Sequence, residues 1–369
     1  MKFSCEKYLL QNACVTAMRA VASKSPIQAL EGLLLEAGDE LKITGYDLKK
    51  GIYTRIDADI AERGSLVVNA RLFGEIIRKL PDGIVKIASD GLNLNVKCGR
   101  SDFNIMGLSA EDFPELPEVD AENTVSLPQK LMRSMIDQTI FAVADNDIRP
   151  IYTGTLFEVG ENELTLVSVD GYRLAKRSEK LEGTKMQPCS FVVPGTSLSD
   201  IQRICADTDE ELSICVGKKH ISFTIGDTVL VSRRLEGEFL NYRRSIPDSF
   251  RHTLKVERTD FMSVIDRVSL IISDKNSSPV HLFLQDGCIE CSCLTPVGKA
   301  EDQCLCEGSG EGLEIGFNDR YLMDALKAAG KDELLFCVNT ASSPCVLKAA
   351  DGTENFTYMI LPVRLRADM

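Results

Sequence analysis

The chain carries the same opening three times, and that recurrence constrains its fold more than any other feature. Residues 2–21 (KFSCEKYLLQNACVTAMRAV), 125–143 (VSLPQKLMRSMIDQTIFAV) and 252–272 (HTLKVERTDFMSVIDRVSLII) each read as a short strand, a turn and an amphipathic helix. In the middle copy Met132, Met135, Ile136, Thr139, Ile140 and Val143 recur at three- and four-residue intervals, which places them on one helical face. Phe261, Val264, Ile265, Val268 and Ile272 keep that spacing in the last copy. Openings about 120 residues apart in a 369-residue chain predict three tandem copies of one domain of ordinary size.

Each third holds a second strand-plus-helix unit, at residues 65–83, 190–209 and 313–332, where an apolar run meets a cap-like Asn, Ser or Thr and about ten helical residues follow. Alternating β-type runs lie between the helices, broken at Gly38-Asp39, at Gly160-Glu161-Asn162 and at Asp286-Gly287, which suits hairpins. The expected fold is α+β: two helices packed on antiparallel sheets in each domain. Proline and acidic residues interrupt the pattern at 113–123 and 246–251, so the domains are expected at 1–120, 121–248 and 249–369.

Composition is that of a globular protein, with 44% hydrophobic and 26% charged residues. No apolar run approaches the ~20 residues of a membrane span, and the N-terminus has no signal-peptide core, so a cytoplasmic location without membrane partners is expected. Thirteen scattered cysteines make a poor disulfide framework and read as small buried hydrophobes in a reducing compartment. The net charge of -13 argues against an ordinary nucleic-acid binder, yet its distribution is uneven. The helices expected at 6–22, 70–79, 128–141, 196–206, 258–271 and 318–329 carry twelve basic and eight acidic residues, a net +4 that leaves -17 elsewhere. Such a chain has the means to turn a positive face toward phosphates. Basic residues that merely complement helix dipoles account for the count equally well.

The repeats, the segment Asp170–Ala175 (DGYRLA), the segment Phe239–Pro247 (FLNYRRSIP) and the ending Leu361-Pro362-Val363-Arg364-Leu365 together resemble the β subunit of bacterial DNA polymerase III, the processivity sliding clamps. Ala29–Glu36, Gly45-Tyr46-Asp47-Leu48 and Asp112-Phe113-Pro114 add to the likeness, which spans essentially the whole chain. The resemblance implies three tandem DNA-clamp domains forming half of a six-domain ring, closed by a head-to-tail homodimer with helices lining the hole. It implies a processivity factor that encircles double-stranded DNA without reading sequence and has no catalysis of its own. The implied partners are the polymerase III alpha subunit and other polymerases, a clamp loader, repair proteins with clamp-binding motifs, and a second copy of the chain. No cofactor is expected.

By position in that resemblance, the residues expected to face DNA are Lys24, Arg71, Arg78, Arg149 and Lys275; each also reads as a solvated surface cation. Ile151 stands where many family members carry an aromatic near the DNA path. A cleft for apolar peptide tails is implied at Tyr152, Val169, Gly171, Tyr172, Arg173, Leu174, Leu240, Arg244, Ser245, Pro344, Met359, Ile360, Leu361, Pro362, Val363 and Arg364. Val169 replaces a usual Thr, Leu240 a usual Pro, and Leu361 with Val363 two usual Met, which trades adaptable thioethers for stiffer side chains. Phe103, Ile105, Ile271 and Ile272 match apolar dimer-interface positions, and ordinary core packing is their plainer reading. The extension Arg366–Met369 reads as a disordered tail.

The residues bear on two other chemistries, metal binding and catalysis. Cys291-x-Cys293 and Cys304-x-Cys306 read as lying on neighbouring strands, where four thiols could converge, but the single-residue spacing is shorter than structural zinc sites use, so free thiols and no metal are expected. The three histidines, His220, His252 and His281, stand beside no nucleophile or acidic motif, and there is no phosphate-binding glycine loop. An acidic scaffold that binds protein tails without encircling DNA, and an enzyme using one of the cysteines, remain the alternatives.

Overall fold

The computed structural model describes residues 1–120, 123–146, 148–181, 188–273, 278–352 and 355–364. The chain divides into two compact units, one of Met1–Arg133 with Ser199–Arg234 and one of Ser134–Leu198 with Leu235–Met369. Six α-helices are described: α1 (Lys7–Ala17), α2 (Ala70–Lys79), α3 (Gln129–Asp137), α4 (Gly195–Ile204), α5 (Arg258–Ser269) and α6 (Asp319–Ala328). Each follows a strand in a half-repeat, as the recurring openings predict. Asn69 accepts from the Leu72 N–H at 2.9 Å and Asn318 from the Tyr321 N–H at 3.2 Å, so both cap their helices.

Every helix but α2 is shorter than expected, α4 by one residue and α6 by two, and the ends of α1, α3 and α5 differ as follows. α1 stops at Ala17 and continues as a 3-10 turn, Met18–Ala20. The Ala17 carbonyl lies so close to the bare backbone of Gly45 that a Cβ there would stand 2.2 Å from it. α3 stops at Asp137, and the buried Thr139 hydroxyl donates back to the Met135 carbonyl at 2.8 Å, a local bond that competes with helix continuation. α5 ends at Ser269, two residues early.

In the first unit, an eight-stranded sheet runs in the order 124–128, 211–216, 220–225, 228–233, 50–56, 41–46, 32–37, 64–69. The strand Thr228–Arg233 of the middle repeat pairs with Lys50–Ile56 of the first repeat, from Thr228 opposite Thr54 to Ser232 opposite Lys50. Repeat boundaries are therefore crossed by a main-chain ladder. A five-stranded sheet, 59–62, 2–6, 84–90, 93–98, 101–106, packs the first repeat's other half. The linker predicted after residue 112 is packed as well: Phe113 is buried beside Tyr46 and Val67.

In the second unit, a ten-stranded sheet repeats the device. Arg173–Lys180 of the middle repeat pairs with Phe356–Ile360 of the last, from Arg173 opposite Ile360 to Arg177 opposite Phe356. Alternation along the last strand splits its side chains between two faces. Phe356, Tyr358 and Ile360 join the core under α5 and α6 with Phe261 and Leu322, while Met359 joins a separate cluster on the other face. The expected Asp286-Gly287 turn is instead a bulge: Val280–Thr295 runs through it as one strand, its register with Gly298–Phe317 shifts there, and Gly287 takes a φ of +74°.

Candidate peptide cleft and phosphate-facing helices

The second apolar cluster of the second unit gathers residues far apart in sequence. Val169, Leu174 and Met359 are buried in it with Val167, Val346 and Tyr242, and Tyr152 packs against its edge. Tyr152 meets Phe239 edge to face with centroids 5.6 Å apart, and the Arg149 guanidinium sits 5.7 Å from the Tyr152 ring. Tyr242 donates to Glu158 Oε2, and Arg243 grips both oxygens of the same carboxylate at 3.0 and 2.6 Å. This fixes the 239–246 segment as one wall.

The rim is apolar and open. Tyr172 is 62% exposed, and Leu361, Val363 and Leu240 are each exposed by nearly two fifths. The Leu361 N–H donates to the Tyr172 carbonyl at 2.9 Å, and Val363 donates to Gly316 at 2.8 Å. Gly171, at φ +95°, makes the turn that presents Tyr172, with Asp170 Oδ1 accepting from the N–H groups of Tyr172 and Arg173. Ser245, Pro344 and Pro362 are half-buried, and Arg244 and Arg364 are exposed.

Two implied cleft residues point elsewhere. Ile360 is buried on the helix side of the sheet. Arg173 is turned toward α6, where Nη1 reaches Asp324 Oδ2 at 2.6 Å and the guanidinium lies 4.5 Å from the Tyr321 ring. Strand alternation decides both, since Leu174 and Met359 pair directly and take the cleft face. Phe239, Tyr242 and Val346 also belong to the cleft cluster, though the sequence reading gives them no cleft role; the FLNYRRSIP segment holds the first two and is the signal that could have found them.

The described helices carry eleven basic and seven acidic residues, again a net +4. Lys24, Arg71 and Arg149 are exposed and enter no ion pair among the described residues. Arg78 is exposed too, but its Nη2 binds Glu75 on its own helix at 2.6 Å, and that hydrogen bond holds the Glu75 carboxyl below its ordinary value. Lys275 lies outside the described residues, as does the Arg366–Met369 extension. Of the interface candidates, Phe103 is exposed and Ile105 half-buried on 101–106, the end strand of its sheet. Ile272 packs on the third repeat's core beside a half-buried Ile271, while neighbouring Leu270 is 79% exposed.

All thirteen cysteines are free, and Cys291, Cys293 and Cys304 are buried. Burial pushes the Cys304 thiol up to about 12 and Cys306 to about 11, which disfavours the thiolates that zinc requires. Among the described residues no group of three or more His, Cys, Asp or Glu side chains is placed to hold a metal.

Family models for the N-terminal, central and C-terminal domains of the DNA polymerase III beta subunit match residues 1–117, 126–241 and 243–364. The chain belongs to the DNA polymerase III beta-subunit family. A beta sliding clamp of Staphylococcus epidermidis is 30% identical, with 99% of each chain covered. The DNA polymerase sliding clamp of Bacillus subtilis superimposes with a TM-score of 0.95 at 30% identity, over 99% of this chain and 100% of that one. The DNA polymerase III subunit beta of Pseudomonas aeruginosa gives 0.94 at 30% identity, with the same coverage. The beta-subunit fold, three tandem α+β clamp domains with antiparallel sheets, is the one the three recurring openings predict.

Proposed function

We propose that this chain is the processivity clamp of a DNA polymerase III, a non-catalytic homodimeric ring that encircles duplex DNA and docks polymerases by their peptide tails. The observation that carries the reading is the full-length match to sliding clamps in all three domains. Holding DNA by topology asks for phosphate contacts that do not read bases, and exposed Lys24, Arg71 and Arg149 supply that chemistry; Lys275 and Arg78 belong to the same proposed set. Ring closure joins the exposed strand 101–106, through Phe103 and Ile105, to the third repeat of a second copy around Ile271 and Ile272.

The cluster of Val169, Leu174 and Met359, rimmed by Tyr172, Leu361 and Val363, is the docking cleft for Leu or Phe anchors of polymerase and repair-protein tails. A loader powered by its own ATP opens the ring. The reading places the protein in the cytoplasm, and no helix among the described residues is long and apolar enough to cross a membrane. The test is retention on nicked circular DNA after loading, followed by one cut. Retention at high salt on the circle and loss on linearisation are expected. Salt that strips both forms alike would mean open, electrostatic binding by a scaffold.

A further inference from the structure

Two carboxylates occupy matching places in the repeats. Asp200 on α4 meets Lys50, the first residue of one boundary strand, and Asp324 on α6 meets Arg173, the first residue of the other. The turns before these strands match as well. Asp47 Oδ1 accepts from the N–H groups of Lys49 and Lys50 at 2.8 Å, as Asp170 Oδ1 does from Tyr172 and Arg173 at 2.8 and 2.9 Å.

Only the second arrangement reaches the cleft. The Arg173 guanidinium, held by Asp170 at 2.9 Å and Asp324 at 2.6 Å, lies against Tyr321, whose ring stacks on Tyr172 at 6.2 Å. The Tyr172 carbonyl in turn accepts from the Leu361 N–H. We infer that Asp324 is a positioning residue for the peptide cleft, setting the Tyr172 rim and the Leu361 backbone by holding Arg173 against Tyr321. This rests on the cleft reading proposed above. Without Asp324 the guanidinium keeps only Asp170 as a carboxylate partner, beside the Phe141 and Tyr321 rings, and can swing, so an incoming peptide must order the rim as it binds.

The repeat supplies its own control. A fluorescein-labelled synthetic peptide with adjacent Leu and Phe anchors is titrated by anisotropy with wild type, Asp324→Asn, Asp324→Glu and Asp200→Asn, and each protein is melted in parallel. Asp324→Asn is expected to bind about tenfold more weakly, Asp324→Glu to recover most of that, and Asp200→Asn to bind as wild type despite a lowered melting temperature. Wild-type affinity in Asp324→Asn, or equal weakening in Asp200→Asn, would overturn the inference while leaving the cleft in place. A wild-type chain that leaves the peptide free would overturn the cleft reading and this inference with it.

Discussion

The Tyr242 phenol donates to Glu158 Oε2 at 2.5 Å, joining residues 84 apart and closing one wall of the cleft. Burial and then the facing Glu158 push the phenol above its ordinary value. Tyr242→Phe is expected to cost about 1–2 kcal/mol in urea unfolding near neutral pH. A group that holds its proton more tightly when folded stabilises fully below its unfolded pKa, about 10 for tyrosine, and loses that contribution as pH rises through the folded value. The gap between wild type and Tyr242→Phe should therefore narrow in strongly alkaline buffer; a constant gap would count against the raised phenol.

The floor and the rim of the cleft should separate in mutagenesis. Leu174 is fully buried, so Leu174→Ala is expected to cost about 2–4 kcal/mol of stability as well as peptide affinity. Leu361→Ala, on the exposed rim, is expected to weaken the peptide severalfold with stability within about 0.5 kcal/mol of wild type. Unfolding curves and peptide titrations on both variants check the split.

Arg71 and Arg78 share a helix but not an environment, because Glu75 occupies Arg78. Arg71→Ala is expected to lower the slope of log affinity against log salt for linear duplex by about one, and Arg78→Ala by clearly less. Equal slopes for the two variants would mean the ion pair opens on DNA.

Ring closure through the exposed strand predicts that Phe103→Asp dissociates the dimer, read as a halved mass in sedimentation equilibrium. Leu270, exposed beside Ile271, is expected to act in the same way when changed to Asp. A mass unchanged in both variants would place the contact elsewhere.

Thiol accessibility should follow burial. Cys189, Cys215, Cys288 and Cys306 are half-buried and the other nine are buried, with the Cys5 thiol pushed by burial up to about 12 and Cys205 to about 11. Maleimide labelling of the native protein counted by mass is expected to reach at most four sites, against thirteen after denaturation.

Much of this was legible in the chain. The three- and four-residue spacing of Phe261, Val264, Ile265 and Val268 marks the buried face of α5, because a helix that packs on a sheet must repeat its apolar side chains every turn. Asn69 and Asn318 announce helix starts because their short side chains reach the free N–H groups of the first turn. Helix ends were less legible, since the close approach of Ala17 to Gly45 joins residues that no local pattern connects.

The sequence by itself determined the three repeats, the α+β alternation, and the apolar and charged residue types available for a cleft and a cationic face, because local periodicity and repetition are properties of the chain alone. Tertiary structure decided which of those residues meet. Pairing of Leu174 with Met359 sends Arg173 and Ile360 to the helix side, and it leaves Asp324 to catch the guanidinium. Strand register sets that choice: a shift of one residue would exchange the two faces, and register is fixed only when strands from distant repeats are paired.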